Sequence, residues 1–212
     1  SERGIIKGFP DGRFRPDAPV TRAEFAAMIR SVNKAKTRAS VGFVDVQSNF
    51  WARGAIAEAY EMGWMSGYPG NVFRPSQQIP RVQVVVALNN GLGYEPICNF
   101  QDVLSYYNDA VEIQNYAVKS VAAATERQMV VSYPNPKSLK PNQSATRAEV
   151  AAFIYQVLVN TNQAKAINSP YIAKVDVSET VAVKIPSGAR ILVEYTKDKI
   201  LLGPNDKSPI TL

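Results

Sequence analysis

Three arginines stand where a cation could do chemistry. Arg22, Arg81 and Arg147 each lie six residues after a proline, counted from Pro16, Pro75 and Pro141. Two of them open nearly identical stretches, VTRAEFAAMI at residues 20–29 and ATRAEVAAFI at residues 145–154. A repeated apolar stripe needs only a core to explain it. A repeated charged pair needs a helix cap, a ligand or a structural partner. Thr21 with Glu24, and Thr146 with Glu149, are spaced as capping boxes, so the threonine and the glutamate are accounted for. The arginine is not, because a cation in the first turn of a helix opposes the helix dipole. At the middle position IPRVQ replaces threonine by Pro80 and glutamate by Gln83 but keeps Arg81. The box is given up there and the arginine is retained.

Other chemistries are narrow. The 212 residues include no histidine and one cysteine, Cys98, which excludes an internal disulfide and the Ser-His and Cys-His nucleophile pairs. No pair of carboxylates stands out for glycoside hydrolysis. No metal site and no cofactor motif is found. The net charge of +6 favours an anionic partner. Nucleic acid is not indicated, since Lys and Arg are dispersed and no nucleic-acid-binding motif occurs. No apolar run reaches the roughly 18 residues of a membrane span, and no leader pattern opens the chain.

The elements that must position the arginines repeat as well. GIIKGFPDGRFRPDAPVTRAEFAAMI (4–29), GWMSGYPGNVFRPSQQIPRVQVVVAL (63–88) and QMVVSYPNPKSLKPNQSATRAEVAAFI (128–154) share an aromatic-Pro pair, a turn, a basic-Pro pair and the arginine. A preceding half recurs twice. FVDVQSNFWARGAIAEAYEMGW (43–64) pairs with FQDV (100–103) plus NYAVKSVAAATERQM (115–129), with an insertion between the two parts. Asp45 and Asp102 read as loop or cap residues, and Asp109 and Glu112 fall in the insertion without a partner. Each unit reads as helix, loop, helix, with i, i+4 apolar spacing before a Pro/Gly/Asn-rich loop. Phe25, Met28, Ile29 and Val32 form the buried stripe of one second helix, and Val150, Phe153, Ile154 and Val157 that of another.

In FVDV, FWARGAI, GIIKGFPDGRFRP and VTRAEFAAMI the chain resembles the S-layer homology (SLH) domain over about residues 1–160. The resemblance implies a mainly α fold, a pseudo-threefold bundle of helix-loop-helix repeats with grooves between them. Repeat one (1–40) contains only its second half, followed by repeat two (41–96) and repeat three (97–160). After a linker (161–170), residues 171–212 read as a short β-rich segment that starts a further domain or packs on the bundle. The resemblance also implies a non-catalytic, exported anchoring module of the cell envelope. Its partner would be peptidoglycan or an attached anionic, pyruvylated cell-wall polysaccharide. GYPGNVFRP, IPRVQ and IPSG are similar to SLH proteins of cyanobacteria. Carried over by position, the ligand residues are Arg22, Arg81 and Arg147, loop residues Gly8, Asp11, Gly12 and Gly67, and Trp51 as a stacking platform. The groove of repeats one and two is expected to be the best, since repeat three has lost both glycines in SYPNP. Two alternatives stay open. The arginines act as struts to a neighbouring repeat, with Trp51 in the core, or the chain is a structural envelope subunit that assembles with protein partners through the same grooves.

Overall fold

The structure is a computed structural model. It describes residues 6, 8–9, 11–32 and 42–176, and beyond these the backbone of three strands. The helices are α1 (Arg22–Arg30), α2 (Arg53–Glu61), α3 (Arg81–Leu92), α4 (Phe100–Leu104), α5 (Val118–Glu126) and α6 (Arg147–Asn160). Helices α1, α3 and α6 each begin at one of the three arginines. Helix α2 packs on α1 and α5 packs on α3, so the first helix of repeats two and three lies against the second helix of the repeat before it.

The three second-helix starts meet in a closed backbone ring. Val20 N donates to Ala145 O, Ala145 N to Ile79 O, and Ile79 N to Val20 O, each at 2.9 Å. All three residues are fully buried. Around this ring every second helix is capped by the next repeat. Arg22 N and Ala23 N donate to Gln77 O and Pro75 O, Arg81 N and Val82 N to Gln143 O and Pro141 O, and Arg147 N and Ala148 N to Ala18 O and Pro16 O. The first N–H groups of a helix have no partner within it, and here a neighbour's loop carbonyls supply one. This is why α3 tolerates Pro80 at its N-cap without a side-chain cap. The capping boxes of Thr21–Glu24 and Thr146–Glu149 are both formed, as the sequence predicts. Phe25, Phe73 and Phe153 fill the core beneath the ring, each worth roughly 1.5–3 kcal/mol of transfer free energy.

One register differs from the sequence reading. The counterpart of Asp45 is Asp109, not Asp102. Asp45 accepts from Phe73 N (2.8 Å) and Arg74 N (2.6 Å). Asp109 accepts from Leu139 N (2.9 Å) and Lys140 N (2.8 Å), the matching loop positions of repeat three. Val44 N to Asn71 O and Asn108 N to Lys137 O correspond too, and Tyr107 is buried where Phe43 is. FQDV misleads because it copies three letters of the motif while folding as the short helix α4. What matters physically is a carboxylate placed to take two consecutive loop N–H groups.

Beyond α6 the chain returns to the bundle. Ser132 N donates to Tyr171 O and Ala173 N to Val130 O, both at 2.9 Å, and Ile172 and Ala173 are buried. Farther on, β1 (Glu179–Lys184), β2 (Arg190–Thr196) and β3 (Lys199–Gly203) pair as an antiparallel meander. The other residues of the β-rich segment after 176 lie outside the described residues.

The register makes a measurable difference. Asp109→Ala is expected to destabilise the fold by about 2–3 kcal/mol, because the loop amides it binds are left unsatisfied. Asp102→Ala is expected to stay within about 0.5 kcal/mol. Urea unfolding of the two variants checks this, and equal effects would refute the assignment.

Candidate functional site

Each arginine leaves its own repeat and reads the loop of the next. Arg22 donates Nε–H to Phe73 O (2.8 Å), Nη2–H to Ser66 O (2.7 Å) and Nη1–H to Gln83 Oε1 (3.0 Å). Arg81 donates Nε–H to Leu139 O (2.7 Å) and Nη2–H to Ser132 Oγ (2.7 Å) and Val131 O (3.2 Å). Arg147 donates Nε–H to Phe14 O (2.9 Å). All three are buried, with Arg81 at 0% exposure. Gly67 sits on the loop that Arg22 reads, whereas Gly8 belongs to the loop read by Arg147. A cation at each helix start therefore has a structural role, joining one repeat to the next through backbone carbonyls.

The surroundings of the three differ. A groove of about 320 Å³ opens over Arg22, walled by Ser66, Gly67 and Tyr68, by Gln83 and Asn90 of α3, and by Tyr116 at the mouth. Its counterpart over Arg147 encloses about 440 Å³, with Ile6, Glu24, Met28, Ser31 and Trp51 among its walls. The two match position for position: Gln83 with Glu24, Asn90 with Ser31, Tyr116 with Trp51. Trp51 is 65% exposed and Tyr116 is 59% exposed, so neither is core. Both offer an aromatic face at a groove mouth. Deeper in, the same stacking recurs. The Tyr68 ring lies between Arg22 (4.7 Å) and Arg74 (4.3 Å), and the Phe9 ring between Arg147 (4.7 Å) and Arg15 (4.3 Å).

Arg81 is fully buried and lines neither groove. Its Nη1 lies 2.6 Å from Glu149 Oε1, a close ion pair. Glu149 does double duty, since its Oε2 accepts from Thr146 N to close the capping box. Ser132 stands where repeat two has Gly67. A Cβ at Gly67 would come within 2.4 Å of the Phe43 ring and 3.1 Å of Val72 O, so that loop requires glycine. The Val130–Ser132 segment is held from both edges, by Arg81 at Val131 O and by Tyr171–Ala173 at Val130 O and Ser132 N.

Burial lowers the pKa of both Arg22 and Arg81, and for Arg81 the adjacent Glu149 acts in the opposite direction. A guanidinium stays protonated regardless, so its charge must be met by neighbours. Asp11 and Gly12 are set apart from the grooves. Asp11 forms a tight turn with Arg13 N (3.0 Å) and Arg15 (2.8 Å), which holds its carboxyl below the usual carboxylate range, and Gly12 turns at φ +77°. Asn90 and Tyr68 line a groove without any sequence signal; Gln83 stands out in the sequence only as the lost cap, and Tyr116 only as the repeat counterpart of Trp51, not as a stacking platform. No group of three or more potential metal-ligating side chains occurs among the described residues. None of their helices is long and apolar enough to cross a membrane.

Comparison with known proteins identifies related chains. A family model described as the S-layer homology domain matches residues 1–26, 42–83 and 106–151, the last beginning beside Tyr107 and beyond FQDV. An exoglucanase, XynX, of Acetivibrio thermocellus is 33% identical over 167 residues, 76% of this chain and 15% of that protein. A cellulosome-anchoring protein of the same organism is 32% identical over 125 residues, 53% of this chain and 28% of its own length. A surface-layer 125 kDa protein of Lysinibacillus sphaericus is 26% identical over 214 residues, 99% of this chain and 17% of its own. The chain thus spans less than a third of each of these relatives.

Arg81→Met is expected to cost about 3–5 kcal/mol, because it leaves Glu149 and several buried acceptors without their cation. Arg15→Met, at the exposed loop tip, should leave the unfolding midpoint where it is. Thermal melts of the two variants test the contrast, and a mild effect at Arg81 would remove its strut role.

Proposed function

This chain belongs to the S-layer homology family, and from that premise we propose that it is a non-catalytic attachment module. It holds a larger protein to the cell wall by binding an acidic wall polysaccharide in the two grooves that carry Arg22 and Arg147. The observation that carries the reading is a repeated pairing: each open groove joins a buried arginine at its floor to an exposed aromatic at its mouth. A guanidinium offers parallel N–H donors to a carboxylate, such as a ketal-linked pyruvate or a uronate. An exposed indole or phenol ring offers a flat apolar face to a sugar.

The relatives support an accessory role. A module shared by an exoglucanase, a cellulosome-anchoring protein and a surface-layer protein, and forming a minor part of each, is what proteins of unlike activity have in common. The place of action is the cell envelope. Of the carried-over residues, Arg22 and Gly67 belong to one site, where Tyr116 joins them, and Arg147 and Trp51 to the other, with Gly8 on the loop that Arg147 reads. Arg81 works as a strut, and Asp11 and Gly12 shape the loop beside the second groove. The first residues of the β-rich segment, Tyr171 to Ala173, pack on the bundle.

Sedimentation with isolated cell-wall sacculi, native and stripped of attached polymer, tests the reading. Wild type is expected to pellet with native walls and to lose most binding on stripped ones. Tyr116→Ala and Trp51→Ala, both at exposed positions, should each weaken pelleting severalfold with unchanged melting temperature. Failure of the folded wild type to pellet with any wall would overturn the proposal and favour an assembly role through the grooves.

A further inference from the structure

A cavity of about 540 Å³ shares no residue with either groove. It lies between the C-terminal ends of α5 and α6, the connection at Tyr94 and Ile97, and the returning tail. Its wall is apolar at Ile97, Val159 and Ile172, and Ile167 stands 57% exposed at its rim. We propose that this cavity docks an extended, uncharged segment of a partner protein, which adds as a strand alongside Tyr171–Ala173. The proposal goes beyond wall binding and is independent of it.

The tail is paired along one edge only. Its two bonds to the bundle use Tyr171 O and Ala173 N, and Ile172 between them faces Val131 as an antiparallel pair that exchanges no bond. In such a pair the residue's own N–H and C=O point away from the partner segment. Ile172 is 6% exposed, and its N–H and C=O find no partner among the described residues. A free backbone edge is a template for a further strand, which an extended peptide can supply. Gln156 of α6 also lines the cavity at 7% exposure and makes no side-chain hydrogen bond among the described residues. Its counterpart on α3, Asn90, accepts from Ser120 Oγ of the packed α5 (3.4 Å). A carboxamide presents a donor and an acceptor side by side, which a peptide group complements, and leaving it unpaired when buried is costly. The charge of the cavity points the same way. No Asp or Glu lines it, and Arg127 is already answered by Glu126 (3.5 Å), Ala123 O (3.0 Å) and the Tyr94 ring (4.5 Å). A segment of alternating aliphatic and small polar residues would set its aliphatic side chains on the apolar wall and its polar ones outward.

The test is an NMR titration of the full chain with the capped peptide acetyl-Thr-Val-Thr-Val-Thr-amide. The same peptide N-methylated at its three central residues, which cannot pair along either edge, is the backbone control, and methyl N-acetylglucosaminide is the sugar control. Wild type is expected to bind the first peptide with shifts centred on Gln156, Val159, Ile167 and Ile172, and the methylated one about tenfold or more weaker. Gln156→Leu should weaken binding severalfold, while wall pelleting stays as in wild type because residue 156 lines neither groove. The comparison of the two peptides uses the wild-type chain, so it holds even if that variant folds poorly. Absence of peptide binding, equal affinity for the methylated peptide, or tighter binding of the sugar at these residues would overturn the proposal. So would peptide shifts at Val130–Ser132 with loss of the Tyr171–Ala173 contacts, which would mean displacement of the tail and not addition to it. The anchoring reading is judged by pelleting alone and survives any of these results.

Discussion

Three hydrogen bonds between Val20, Ala145 and Ile79 decide how everything else is arranged. Each donor and acceptor is a backbone group buried away from water, where an unpaired partner would be expensive. Closing the ring places three helix starts side by side, and each then presents its free N–H groups to a loop of the next repeat. The loops that cap the helices are also the loops that the arginines read. Capping, inter-repeat bonding and groove formation are therefore one structural event, which is why no repeat carries its own complete site.

From this shared plan the sites diverge through few residues. Glycine or serine at 67 and 132, and glutamine or glutamate at 83 and 149, separate an open cationic groove from a sealed ion pair. The buried guanidinium is costly in every copy, since burial disfavours a charge that cannot be shed. Where Glu149 and Ser132 answer Arg81, the result is a rigid joint. Where only carbonyls, an amide and the Tyr68 ring answer Arg22, part of its charge remains available.

Much of the helical bundle was legible in the sequence, because repetition reveals what a single copy would leave ambiguous. The capping boxes of Thr21 and Thr146 follow from spacing alone and are formed. The place of each arginine, at a helix start, was legible too; its partners were not, since every one lies more than forty residues away or farther in the chain. Asp109 was misread because letter identity favoured FQDV, while the carboxylate's task depends on where the loop amides come to lie. The exposure of Trp51 ran against its size, which favours the core. Pairing across repeats is a property of the closed ring, and no local window contains it.

Ring closure also acts as a counter. In an open solenoid each added copy stacks on the last and lengthens the stack. Here Ala145 donates to Ile79, Ile79 to Val20, and Val20 back to Ala145, so the first copy hands its bond back to the last. A fourth copy would find no free donor or acceptor at the axis. Such a lineage would lengthen by adding a whole trio as a second bead, not by extending the first.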